Sequence, residues 1–268
     1  MIKVENVTTW GWGHSIRGMR NPLASWGKSD SYRDENGEFV VGDNDIALMC
    51  RLCQAGPEHR KFMRQLFISM DIVAPLYWWK EYDTYKVGTV ADSCSTMHTI
   101  HKRDFHFEDF SSEHMRQLTQ DFLRDIIRLL NKCRGEYVET GNKDAWWQLI
   151  QLLPESYNQM RTVTMTYENA YSMIHQRAGH KLDEWRTFVE ILKELPYMKE
   201  LLDAEGENIM SKKKWPSIAL DVSEALDEDG VFLVLRQCED GFPEIVACYE
   251  DAADAQAEAD ERNTKEEQ

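Results

Sequence analysis

The chain has 268 residues, 42% of them apolar and nine of them Trp, enough for one large domain, or one domain plus a small appendage, around a sizeable core. The formal net charge is -16, but residues 221–268 hold 16 acidic and 3 basic residues, which leaves the body before them at only -3. Duplex nucleic acid needs lysines and arginines to displace its counterions, so this balance argues against it as a partner; a mononucleotide would need only a few local cations.

The chain starts with Met1-Ile-Lys-Val-Glu, which is too polar for a signal peptide. No run approaches the roughly 20 apolar residues that span a bilayer, so no membrane association is expected. A cytoplasmic, reducing compartment follows as the expectation, with Cys50, Cys53, Cys94, Cys133, Cys238 and Cys248 as thiols. Residues 1–44, with Trp10-Gly-Trp-Gly-His14 and Gly18-Met-Arg-Asn-Pro22, suggest a short strand followed by ordered loops. A helix is predicted from about Asp45 to Ala55, stopped by Gly56-Pro57. Cys50-x-x-Cys53 falls inside it and reads as packing, because no second Cys/His pair stands at zinc-site spacing.

Leu66, Ile68, Met70 and Ile72 alternate as one face of a strand that Pro75 ends. Leu76 to Lys86 is dense in aromatics, read either as core or as the lining of a ligand site. Ala91 to His98 is small and polar, a loop facing a ligand or another backbone. Ser111 or Ser112 is expected to cap a helix with the apolar face Met115, Leu118, Phe122, Ile126, Leu129 and Cys133, and Gly135 and Gly141 to bracket a break. Helices are predicted over Trp146–Leu153, Glu168–Arg177 and Asp183–Leu195, with a short strand over Thr162–Thr166. Lys212-Lys-Lys-Trp-Pro216 reads as a linker. The tail then reads as strand (Val231–Leu235), turn at Asp240-Gly241, strand (Ile245–Cys248) and helix (Asp251–Glu261).

Gly56-x-x-His59, the strand ending Ala74-Pro75, the aromatics, the polar segment with Ser95, Leu153-Pro154, a Thr/Tyr-rich stretch, Arg177 and the Leu182-Asp-Glu-Trp185 helix follow one another in a set order. In this order and spacing, residues 1–200 resemble the flavin-dependent thymidylate synthases. The resemblance implies a mixed α/β fold over residues 1–210; residues 221–263, beyond it, read from their own pattern and charge as a small acidic ββα appendage. The resemblance also implies a homotetramer with active sites between subunits.

By position, the family's Arg-Gln-Trp falls on Lys80-Glu81-Tyr82 and its Arg-His-Arg on Thr84-Tyr85-Lys86. Its Asn-Glu-x-Ser-x-Arg-Tyr falls on Asp92 to His98, where only Ser95 is identical, and its C-terminal nucleotide-binding Arg falls on Arg177. Another family Arg falls on Glu168, a reversed charge. The resemblance therefore implies Ser95 as the catalytic position, Lys80, Lys86, Ser93 and Arg177 around a uracil nucleotide, and Tyr85, Lys86 and His98 around FAD. The implied reaction is modification of dUMP at C5, with methylene-folate as carbon donor and NADPH as reductant. Thr84, Met97 and Glu168 cannot make the bidentate anion contacts of a guanidinium, so the alternative is a catalytically inactive nucleotide-binding or interaction protein on the same scaffold.

Three further features stand beside this. His98, His101 and His106 cluster without a justified metal spacing, so no metal is expected, and an imidazole could serve as phosphate donor or general acid. Ser95 and Cys94 are nucleophiles only if a base lies beside them; otherwise they belong to a loop held by hydroxyl-to-backbone bonds. The acidic tail suits a basic protein surface or serves only to keep the chain soluble.

Overall fold

The computed structural model describes residues 2–211, 218–221, 232–237, 243–249 and 256–257. The chain divides into two compact units, Met1–Gly206 and Glu207–Gln268. The first begins with β1 (Lys3–Trp10), α1 (Trp12–Arg20), a two-residue ladder of β2 (Tyr32–Arg33) with β3 (Phe39–Val40), and α2 (Asp43–Gln54). It continues with β4 (Phe67–Pro75), α3 (Leu76–Tyr82), β5 (Thr89–Ser93) and the short α4 (Thr96–Thr99). Then come α5 (Gln117–Thr140), α6 (Lys143–Leu152), β6 (Asn158–Thr166), α7 (Tyr167–Arg177), α8 (Asp183–Lys193) and α9 (Met198–Ser211).

Four strands form an antiparallel sheet in the order β1-β4-β6-β5. β4 and β6 are its spine, paired without a slip from Phe67↔Thr166 to Pro75↔Asn158. The alternation read from sequence holds: Ile68, Met70, Ile72 and Ala74 are buried, while Phe67, Ser69, Asp71 and Val73 lie on the partly exposed face. On that face Ser69 and Thr164 share a hydroxyl hydrogen bond (2.6 Å), and Asp71 accepts from Thr162 (2.5 Å) and Asn6 (2.7 Å). These bonds hold the Asp71 carboxyl below its ordinary value.

The covered face carries the main core, drawn from α1, α2, α3, β4, β6, α7, α8 and α9. Trp78, Trp79, Tyr82, Trp185 and Phe188 pack ring on ring there, with centroids 4.9–6.5 Å apart. The aromatic stretch at 76–82 is therefore core. Deep in the same core Arg20 donates to Asp45 (2.6 Å), whose other oxygen accepts from Ser29 (2.7 Å) and Ser31 (2.6 Å). Burial pushes the Asp45 carboxyl up, but the two hydroxyls and the guanidinium outweigh it and leave it below the usual range.

Several expectations are corrected. The segment after Trp10 is not all loop: α1 runs from Trp12 to Arg20 and buries Trp12, Ile16 and Met19. α5 starts at Gln117, after Arg116 rather than Ser111 or Ser112, and passes through Gly135 without a break. Its buried residues are Leu123, Ile127 and Leu130; Leu118, Phe122 and Leu129, expected inside, are exposed. The second core they build, with Phe105, Phe110 and Leu149, lies between α5, α6 and the segment after α4. α9 is an addition to the expected elements, because the sequence pattern reads Pro196 as an end.

In the second unit β7 (Ile218–Asp221), β8 (Phe232–Gln237) and β9 (Pro243–Tyr249) form an antiparallel sheet in that order. Three strands thus stand where two were expected. The expected linker at 212–216 and the turn at 240–241 lie outside the described residues, as does most of the expected helix at 251–261. Among the described residues no helix is long and apolar enough to cross a membrane.

Candidate functional site

The polar segment around Ser95 lies at one end of β5. Its backbone is stitched to β6: Cys94 N–H donates to the Met160 carbonyl (2.9 Å), and the Gln159 amide donates to the Cys94 carbonyl (2.9 Å). Ser95 precedes α4, where its carbonyl accepts the Thr99 N–H (3.0 Å) and hydroxyl (2.7 Å), while its own hydroxyl makes no cap bond. A cavity of about 450 Å³ opens beside it, with Val73, Cys94, Lys102, Arg103, Tyr157 and Met160 in its lining. Arg103 forks onto Asp109 (2.7 and 2.8 Å), which also accepts the His106 N–H (2.8 Å). Burial raises the Asp109 carboxyl, but that fork and the N–H bond bring it below the ordinary range. Burial pushes the Tyr157 phenol up, so it stays protonated. Lys102 is exposed and has no carboxylate partner among the described residues. The cleft therefore offers an apolar wall, a neutral phenol and an uncommitted cation.

The other end of β5 holds a different arrangement. α7 ends on Arg177, whose Nε donates to Tyr85 Oη (3.0 Å) and whose Nη1 donates to Glu81 (3.1 Å). The guanidinium sits 4.9 Å over the Trp185 ring, and Tyr85 in turn donates to Gln176 (2.9 Å). The fork that the resemblance assigns to a phosphate is thus engaged within this chain by a carboxylate and a phenol. Lys80 is paired with Glu155 at the surface. The chain brings Tyr85 and Arg177 together; Lys86, exposed, follows Tyr85 in sequence.

Ser93, Ser95 and His98 stand apart from that group. The strand β5 lies between Lys86 and Ser95 in the chain and spans about 13 Å by itself, at ~3.3 Å per residue. Ser93 is exposed opposite Arg161, and His98 is exposed in α4. No hydrogen bond among the described residues joins Cys94 or Ser95 to an imidazole, and Lys86, Ser95 and Arg177 line none of the three cavities described. Among the described residues no three His, Cys, Asp or Glu groups converge as metal ligands would.

Sequence reasoning missed Lys102, Arg103 and the partners of Glu168. Arg64 donates twice to Glu168 (2.5 and 3.1 Å), and Arg60 lies 3.9 Å from it. Glu168 is therefore engaged within the chain by two arginines just before β4. The run Arg60-Lys61-x-x-Arg64 was the available signal.

No protein-family model and no curated protein matches the chain. Solved structures do. Thymidylate synthase X from Helicobacter pylori with FAD and dUMP matches with a TM-score of 0.58 at 15% identity, over 76% of this chain and 99% of that one. A second structure of the flavin-dependent enzyme from the same organism, complexed with FAD and dUMP, matches with a TM-score of 0.57 at 15% identity, over 76% and 98%. This chain is therefore built on the fold of the flavin-dependent thymidylate synthases.

Proposed function

We propose that the chain binds a uracil nucleotide in the cleft beside Cys94, on a flavin-dependent thymidylate synthase scaffold from which much of the catalytic arginine set is absent. The observation that carries this reading is the uncommitted Lys102 on the wall of that cleft, next to the segment that holds Ser93 and Ser95. Lys102 would meet the phosphate, and the apolar wall of Val73, Phe105 and Met160 would take the base. A charge-assisted contact of this kind is worth about 1.5–3 kcal/mol. Calorimetry with dUMP, and with UMP as control, should show Lys102→Ala binding at least about tenfold more weakly than the wild type. Equal heats for the two proteins would remove the cleft as the nucleotide site. Arg177→Ala in the same titration tests the position that the resemblance assigns; held by Glu81 and Tyr85, it should change dUMP binding less than Lys102→Ala does.

A second reading is the FAD-dependent modification of dUMP at C5 with a methylene-folate donor, favoured by the likeness to structures solved with FAD and dUMP. The residues of one chain do not fit FAD by themselves. The Tyr85 hydroxyl is held between Arg177 and Gln176, and Lys86 and His98 lie at opposite ends of β5. This reading needs a second copy to complete the site, as in the tetramer that the resemblance implies. Purified protein that carries flavin absorbance, or takes it up on reconstitution, would support it; colourless protein that takes up no FAD would leave the first reading alone.

A further inference from the structure

The Trp10-Gly-Trp-Gly-His14 segment is used by neither reading, yet it forms one wall of the largest of the three cavities, about 830 Å³. Trp10, Trp12, Phe39 and Tyr197 supply the aromatic surface, and Arg17 and Arg33 stand in the same lining. The glycines shape the opening. Gly11 sits at φ +96°, and a Cβ there would come within 2.2 Å of the Gln65 carbonyl oxygen, so the segment turns against the start of β4 only without a side chain. Gly13 faces the Phe39 ring across ordinary contact distance, a Cβ there lying 3.5 Å from it. Tyr197 packs beside Trp12 in the same lining, held at φ +60° with its hydroxyl accepting the Val41 N–H (3.0 Å) and its ring edge-on to Trp12 at 5.2 Å. A bulky side chain in the left-handed region is rare and tends to mark a functional site.

The charge distribution singles out the same cleft. Of the fourteen arginines between residues 2 and 211, ten have a carboxylate partner. Arg17 and Arg33 are two of the four that have none among the described residues, and both line this cavity. Arg17 lies 5.4 Å over Trp26, and Arg33 lies 5.8 Å over Phe39 with Nη1 donating to the Gly37 carbonyl (2.6 Å). Glu38 and Glu200 are also in the lining and would repel an anion placed beside them.

We propose that this cleft is a separate ligand site for a planar aromatic anion, with the ring against Trp10, Phe39 and Tyr197 and the anionic group between Arg17 and Arg33. Aromatic faces take a ring by stacking, and two guanidinium groups take a phosphate or carboxylate through paired N–H donors. The cavity has the volume of a small-molecule site. It lies on α1 and the β2–β3 ladder, whereas the nucleotide cleft proposed above lies beside β5, so the two proposals stand or fall separately.

The test is a tryptophan-fluorescence titration of the full chain with AMP as probe, against adenosine for the ring alone and inorganic phosphate for the anion alone. AMP should quench saturably and bind at least about tenfold tighter than either fragment, the amount one charge-assisted contact contributes. Arg17→Ala and Arg33→Ala, both at exposed positions, should each lose about that factor, and Trp10→Ala should weaken AMP and adenosine alike. AMP binding no tighter than adenosine, or AMP binding that survives both arginine variants, would overturn the proposal.

Discussion

The first unit has two apolar cores, and the contrast between them shows when periodicity locates a buried face. In the main core, β4 alternates strictly and α8 gathers Trp185, Phe188, Val189 and Leu192 on one side. Each element has one apolar face, so there is one way to bury it. The core between α5 and α6 is built differently. α5 carries apolar residues on two faces, Leu123, Ile127 and Leu130 inside and Leu118, Phe122 and Leu129 outside. Spacing alone cannot choose between two stripes of similar strength; the partner helix α6, with Leu149 fully buried, does.

The largest effect expected from this contrast is at Trp185. It is fully buried among Trp78, Tyr82, Tyr85 and Phe188, so Trp185→Ala should cost about 3–5 kcal/mol in urea unfolding. Its indole N–H has no partner among the described residues, so Trp185→Phe should be tolerated far better. A loss near zero for Trp185→Ala would mean that the aromatic cluster does not hold this core together.

Next comes the buried pair in the same core. Asp45→Ala strands Arg20 and should cost about 3–5 kcal/mol, at or just below the tryptophan effect. Because the folded Asp45 carboxyl titrates below its unfolded value, its contribution is fully present above about pH 4 and is lost as pH falls through the lower folded value. Unfolding free energies of wild type and Asp45→Asn should therefore converge only in acid. Convergence near neutral pH would show that Asp45 is not ionised in the folded protein.

Leu130→Ala should cost about 2–4 kcal/mol, and the smaller core should confine the damage: amide exchange should quicken in α5 and α6 and stay unchanged in β4. Exchange that quickens equally in both would merge the two cores into one cooperative unit. Smallest of all, Phe122→Ser on the exposed stripe should change stability by less than about 0.5 kcal/mol, read from the same urea curves. A loss of several times that would show that something covers the stripe in solution.

The candidate site was legible only in part. Ser95 and Lys86 could be located because Ala74-Pro75 sets a count along the chain, but a count does not show that β5 runs straight between them and holds them apart. Arg177 could be named as the last basic residue of its helix. Its engagement by Glu81, Tyr85 and Trp185 joins residues 92 and 96 positions apart and a third on the next helix, which local spacing does not report. The same holds for Arg64 on Glu168, 104 positions away, and for the cleft that joins Lys102 to Val73 and Tyr157.

The sequence by itself determined the strand β4, the helices α2, α7 and α8, and an order of landmarks that resembles the thymidylate synthase family, whose fold the solved structures share. These depend on side-chain periodicity and on stops such as Gly56-Pro57, which act within a few residues. Only the tertiary structure decided which face of α5 is inside, that Arg177 is held by its own chain, and that Arg17 and Arg33 share an aromatic cleft. Those outcomes depend on which distant groups neutralise one another, and a carboxylate meets its guanidinium only once the sheet and helices have placed both.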